Sequence, residues 1–165
     1  DLMPEVRKLV VPDLLEKGNK LVKEGKIMEA IEAYKKAEQF DLTQKVSVYS
    51  WCNLCWYGSI YGYAVEVMDA CEKAVTLNSD PAQDGWLRDA RGVAKVFTGD
   101  TKGAISDFQA AAAWYEVEYQ RLVGVAKEAD QYKSYKLQRQ NWINALSAGQ
   151  NPFTEEEIRL NPLER

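Results

Sequence analysis

The chain has 165 residues, 46% of them hydrophobic and 28% charged, with a formal net charge of −4. This is long enough for one domain with a real core, too apolar to be disordered, and lacking the basic face of a nucleic-acid binder. There is no histidine, which removes the usual general base, the Ser-His and Cys-His nucleophile pairs and the commonest metal ligand.

No apolar run approaches the roughly 20 residues of a membrane span, and no signal peptide precedes the first charges, so no membrane partner is expected. Three cysteines in a protein of this size read most simply as reduced thiols in a cytoplasmic setting. The start on Asp1 rather than Met reads as a piece of a larger protein. Between Tyr119 and Gln140 five basic residues outnumber two acidic ones, the pattern of a solvated helix face.

Self-similarity organises the sequence. A shift of 37 residues carries Gly18 to Cys55 to Gly92, and Gly25 to Gly62 to Gly99. The same shift carries Ala30 to Val67 to Ala104, Tyr34 to Cys71 to Phe108, and Ala37 to Ala74 to Ala111. The first column is small where one helix must approach its neighbour closely. The second is glycine in every copy, placed where a helix ends on a left-handed residue. The stretches that follow, IMEAIEAYKKAEQF, AVEVMDACEKAVTL and KGAISDFQAAAAWY, carry apolar residues at helical spacing. Each copy is therefore a helix, a glycine turn and a second, antiparallel helix. One such hairpin cannot bury its own stripe, so the copies must stack.

From Tyr115 a long helical stretch runs to about Ala148, with Gly124 or the Asp130 region as its break point, and it suits a capping element. Gly149 is a natural helix stop. Thr154 with Glu157 three residues on reads as a capping box that opens a short last helix.

The first copy, LLEKGNKLVKEGKIMEAIEAYKKAEQFDL, resembles a tetratricopeptide repeat, with Gly18, Gly25, Ala30, Tyr34 and Ala37 at its small, turn, small, aromatic and small positions. Trp51 and Leu54 open the second copy, and ARGVAKVFTGDTKGAISDFQAAAAW matches again. The resemblance implies an all-α, right-handed α-α superhelix of three hairpins, roughly 12–42, 47–79 and 84–116, with capping helices over 117–165 in a single domain 1–165. The extra residues beyond a period of about 34 fall in the linkers DLTQKVS and NSDPAQDG. Two departures, Val67 at a small position and Arg88 at the opening apolar one, bear on how closely the second and third hairpins pack. The region from SWCNLCWYGSIYGY to RQNWINALSAGQNPFTEEEI also resembles the C-terminal module of bacterial, often cyanobacterial, multidomain proteins. Those carry caspase-like protease, signalling ATPase or WD-repeat regions upstream, which would make this piece a sensor or adaptor tail.

In repeats of this family the first helix of each hairpin lines a concave groove. By register that groove presents Leu15, Asn19, Val22 and Lys23, then Tyr49, Cys52, Asn53, Trp56 and Ile60, then Trp86, Asp89, Val93, Val96 and Phe97. The resemblance implies a protein-interaction module holding a peptide or helix there, with Trp56→Ala or Val93→Asp weakening a partner without unfolding the domain. A carboxylate clamp for a chaperone tail is matched at Asn19 and Asn53, but Leu15, Trp86 and Ala90 stand where its basic residues belong.

The alternatives are a self-associating domain, as a homodimer, whose C-terminal helix fills the groove, and a thiol enzyme or metal site at Cys52 and Cys55. Cys55 falls at the small position and Cys71 in the core, so packing is the reading of WCNLC. A structural zinc needs four ligands, and a redox C-x-x-C opens a helix beside a strand. Carboxylate chemistry through Asp89 and Asp100 is the remaining enzyme reading. No catalytic residue, cofactor or metal is expected.

Overall fold

The computed structural model describes residues 3–40 and 45–153. Among them the secondary structure is seven α-helices and one short 3-10 turn, so the expected all-α class holds. Helices α1 (Pro4–Lys23) and α2 (Ile27–Phe40) form one hairpin, α3 (Val48–Ile60) and α4 (Met68–Thr76) a second, and α5 (Asp84–Thr98) and α6 (Thr101–Leu122) a third. Helix α7 (Ala129–Ser147) follows. The protein divides into two compact units at Leu77 and Asn78.

In the first unit α1 packs on α2 and α3 on α4, while α3 also meets both α1 and α2. Its interior holds Val22, Ile27, Ala30, Tyr34, Leu54 and Val67. Helix α3 is enclosed on most sides: Ser50, Trp51, Cys52, Leu54, Cys55, Trp56, Gly58 and Ser59 are all buried, as expected of a helix that is apolar all round. Ser47 starts it by accepting the Ser50 amide at 3.0 Å, an N-cap contact.

In the second unit α5 packs on α6 and α6 on α7. Asp100 caps α6 by accepting the Gly103 amide at 2.9 Å. The linker NSDPAQDG is folded: Asp80 caps the 3-10 turn Pro81–Gln83, and the Trp114 indole N–H donates to Pro81 O at 3.2 Å.

The three glycine turns form as the period predicts, with φ of 75° at Gly25, 89° at Gly62 and 83° at Gly99. At each of these helix ends only glycine adopts the left-handed backbone without steric cost.

The structure departs from the expected boundaries at several points. Helix α1 begins at Pro4 and carries Pro12 inside it, upstream of the repeat start expected at 12. Helix α4 begins only at Met68, because Ala64–Val67 form turns and the Val67 side chain makes no capping bond. Helix α6 runs on to Leu122, past the repeat end expected at 116, and stops before Gly124, whose φ is 77°. Gly149 ends α7 with φ 74°. The Thr154–Glu157 capping box lies outside the described residues.

Val67 fits because α3 makes room for it. A Cβ on Gly58 would sit 2.3 Å from Val67 Cγ1. At the equivalent positions in the other hairpins stand the larger Leu21 and Lys95, where the column of Val67 is Ala30 and Ala104. In sequence, the second hairpin thus exchanges which of these two positions is small.

Candidate functional site

The column of small residues meets the aromatic column across each hairpin. A Cβ on Gly18 would lie 2.3 Å from the Tyr34 ring, and one on Gly92 would lie 2.7 Å from the Phe108 ring. In the second hairpin the same two positions are Cys55 and Cys71, and they are joined in a disulfide with Cα atoms 4.8 Å apart. The expectation of three reduced thiols is corrected here, and the cytoplasmic setting drawn from it loses its ground. Two small side chains in a seam where the other hairpins place one aromatic are close enough to bond. Cys52 lies outside this bond, and it is buried. Since Cys55 is taken by Cys71, a Cys52–Cys55 pair does not form here. No group of three or more His, Cys, Asp or Glu among the described residues could hold a metal ion.

In the first unit the expected groove residues divide by exposure. Val22, Cys52 and Trp56 are buried, at 0%, 1% and 3% exposure, so these three belong to the packed interior. Leu15, Asn19, Asn53 and Ile60 are half-buried, and Lys23 and Tyr49 are exposed. Asn19 Oδ1 accepts the Tyr34 hydroxyl at 2.7 Å, which ties the amide to its own hairpin. Burial pushes the Tyr34 hydroxyl up to about 12, since desolvation disfavours the tyrosinate.

In the second unit Asp89 and Val93 are buried, Trp86 and Val96 are half-buried, and Phe97 is exposed. Asp89 is enclosed by an ion pair. Arg139 of α7 donates from Nε to Asp89 Oδ1 at 2.8 Å and from a terminal nitrogen to Oδ2, and the Tyr115 hydroxyl donates to Oδ2 at 2.9 Å. The Arg139 guanidinium stands over the rings of Trp142, Tyr115 and Tyr135 at 4.5, 5.4 and 5.6 Å, a cation–π cage. Burial works against its charge, but Asp89 first and then Tyr115 raise its pKa above the ordinary arginine value. Phe153 lies against Phe97, Phe108 and Trp142 at 5.3, 6.5 and 4.9 Å. Residues that follow the third hairpin therefore cover part of the face expected to take a ligand.

The two carboxylates of the enzyme reading already have partners: Asp89 has Arg139, and Asp100 caps α6. A second buried carboxylate, Asp107, accepts from Arg91 at 2.7 and 2.8 Å and pairs with Lys95 at 2.9 Å. This locks α5 to α6.

Two surface clefts lie elsewhere. One, of about 260 Å³, runs between α2 and α4 over Trp51 and Leu54. Lys73 crosses it, 4.4 Å above the Trp51 ring and paired with Asp69 and Glu38 at 3.2 and 3.5 Å. The other, of about 360 Å³, lies between α6 and α7 and is lined by Ala112, Ala113, Glu116, Lys136 and Ile143 among others. Neither is lined by a residue of the expected groove.

Sequence reasoning missed Arg139, Tyr115 and the Cys55–Cys71 bond. The bond had a signal: Cys55 and Cys71 are separated by 16 residues, the same interval as Gly18–Tyr34 and Gly92–Phe108, pairs that touch. Arg139 had none, because it reads as one more cation on a solvated face. Compared with known proteins, the sequence and structure match no family model, no curated protein and no solved structure.

Proposed function

We propose that this protein is a tetratricopeptide-type solenoid domain that acts without catalysis by binding a protein partner. The observation that carries the reading is the 37-residue period, repeated as three helical hairpins with left-handed glycine turns. Such units work by presenting side chains of their first helices to a peptide or helix. The accessible part of that face in the first unit is Lys23 of α1 and Tyr49 of α3, flanked by half-buried Asn19, Asn53 and Ile60. The binding face is narrower than the sequence alone suggests, with Trp56 and Val22 beneath it. The positioned carboxylates serve packing and capping, which favours this reading over an enzyme.

The test is capture from a lysate of the source cell by the native protein, beside Lys23→Glu with Tyr49→Glu. A partner held by the native protein and lost by an equally helical, equally stable variant supports the reading. Identical capture by both would overturn it.

A second reading, self-association, is favoured by one observation: Arg139 and Phe153 occupy part of the third hairpin's expected groove. Sedimentation across a range of concentrations separates the two, since only this reading expects a dimer without a partner.

A further inference from the structure

The three hairpins solve the same packing problem with two chemistries. In the first and third a glycine backbone on the leading helix receives an aromatic ring, Gly18 under Tyr34 and Gly92 under Phe108. In the second the ring is missing and a covalent bond between Cys55 and Cys71 stands at the same positions. This hairpin also has the shortest trailing helix: α4 has nine residues, against 14 in α2 and 22 in α6, and no capping bond from a side group at its start. It has the least helix surface with which to hold itself closed.

We propose that the Cys55–Cys71 bond is a redox-controlled staple that replaces the glycine–aromatic contact, so that the closure of this hairpin depends on the thiol–disulfide state while the other two do not. When it is oxidised, α4 is fixed against α3. When a dithiol reductant acts, it supplies two electrons and two protons, the S–S bond breaks, Cys55 and Cys71 become thiols, and the reductant is left as its own disulfide. The two thiol sulfurs can no longer sit at bonding distance, so the close-packed seam must part to hold them. Both sulfurs are fully buried, so the reductant reaches them only when the hairpin opens, and reduction of the native protein is slow. Cys52, buried one helical turn before Cys55 on α3, is the remaining thiol. The proposal stands independently of what the domain binds.

The test uses the full 165-residue protein, oxidised in air and then denatured. Thiol titration should find one thiol without reductant and three after dithiol treatment, matching Cys52 outside the bond and the three cysteines of the sequence. The melting temperature of the native protein should fall by roughly 6–12 °C on reduction, given a staple that closes a loop of this length. Cys55→Gly with Cys71→Phe, which writes the chemistry of the other hairpins into this one, should melt identically with and without the dithiol. Should that pair fail to fold, Cys55→Ala with Cys71→Ala carries the same test by melting where the reduced native protein does. Three thiols in the unreduced protein, or a native melting temperature unmoved by complete reduction, would overturn the proposal.

Discussion

Asp89 and Arg139 are fifty residues apart in the sequence and meet as a fully buried ion pair, with the guanidinium caged by Tyr115, Tyr135 and Trp142. A charge taken out of water is tolerated only when its partner and hydrogen bonds are complete. The pair therefore ties α7 to α5, and either residue alone is a liability. Arg139→Met should cost about 3–5 kcal/mol, most of it from Asp89 left buried and uncompensated. Adding Asp89→Asn, which keeps an acceptor for Tyr115, should recover part of that loss. Denaturant unfolding of the three proteins checks it; a double variant less stable than Arg139→Met alone contradicts the account.

Gly58 and Val67 are a compensating pair in the second hairpin. Gly58→Ala places a Cβ 2.3 Å from Val67 and should cost about 1–3 kcal/mol by overpacking. Val67→Ala alone leaves a cavity at a fully buried position. Together the two changes should cost less than the sum of the singles, a coupling measurable in a double-mutant cycle. Strict additivity would mean the two side chains do not share the space.

Trp56 is part of the core. At 3% exposure, Trp56→Ala should lose about 3–5 kcal/mol of stability, so binding by that variant is to be read beside its stability. Tyr49→Ala, at an exposed position, should change stability by about 0.5 kcal/mol or less. Thermal melts of the two variants distinguish them directly.

Tyr34 gives the fold an alkaline limit. Burial holds its hydroxyl near 12 in the folded state, against an ordinary value of 10.0. Between these values the folded state keeps a proton that the unfolded state has lost. The contribution is therefore complete below pH 10 and falls as pH rises toward 12. After allowance for residual solvent screening the loss should be about 1–2 kcal/mol. Tyr34→Phe should be less stable near neutrality, having lost the bond to Asn19, but should show a shallower decline with alkali. Denaturant unfolding across that range, beside the native protein, checks the slope; parallel curves would assign the decline to other groups.

Much of the fold was legible because local rules carry it. The 37-residue period, the helical spacing in IMEAIEAYKKAEQF and the turn glycines 25, 62 and 99 all depend on near neighbours in the sequence. Helix existence and hairpin phase follow from them, as does the break at Gly124. Boundaries were less legible: the late start of α4 turns on the absence of a cap at Val67, and α6 runs past its repeat because nothing before Gly124 stops it.

The candidate face was only partly legible, for a physical reason. Helical register says which residues share a side of α3, but only tertiary packing says whether that side meets water. WCNLCWYGSIYGY is apolar nearly all the way round, so register placed Tyr49, Cys52, Asn53, Trp56 and Ile60 on one face, and packing then buried Cys52 and Trp56 while leaving Tyr49 exposed. Likewise a lone Arg139 is indistinguishable in sequence from a solvated cation, and Asp89 from a ligand-binding carboxylate, until the fold encloses both. By itself the sequence determined the helices and their period. Only the tertiary structure decided which charges and rings are interior, because burial arises from residues far apart in the sequence being brought together.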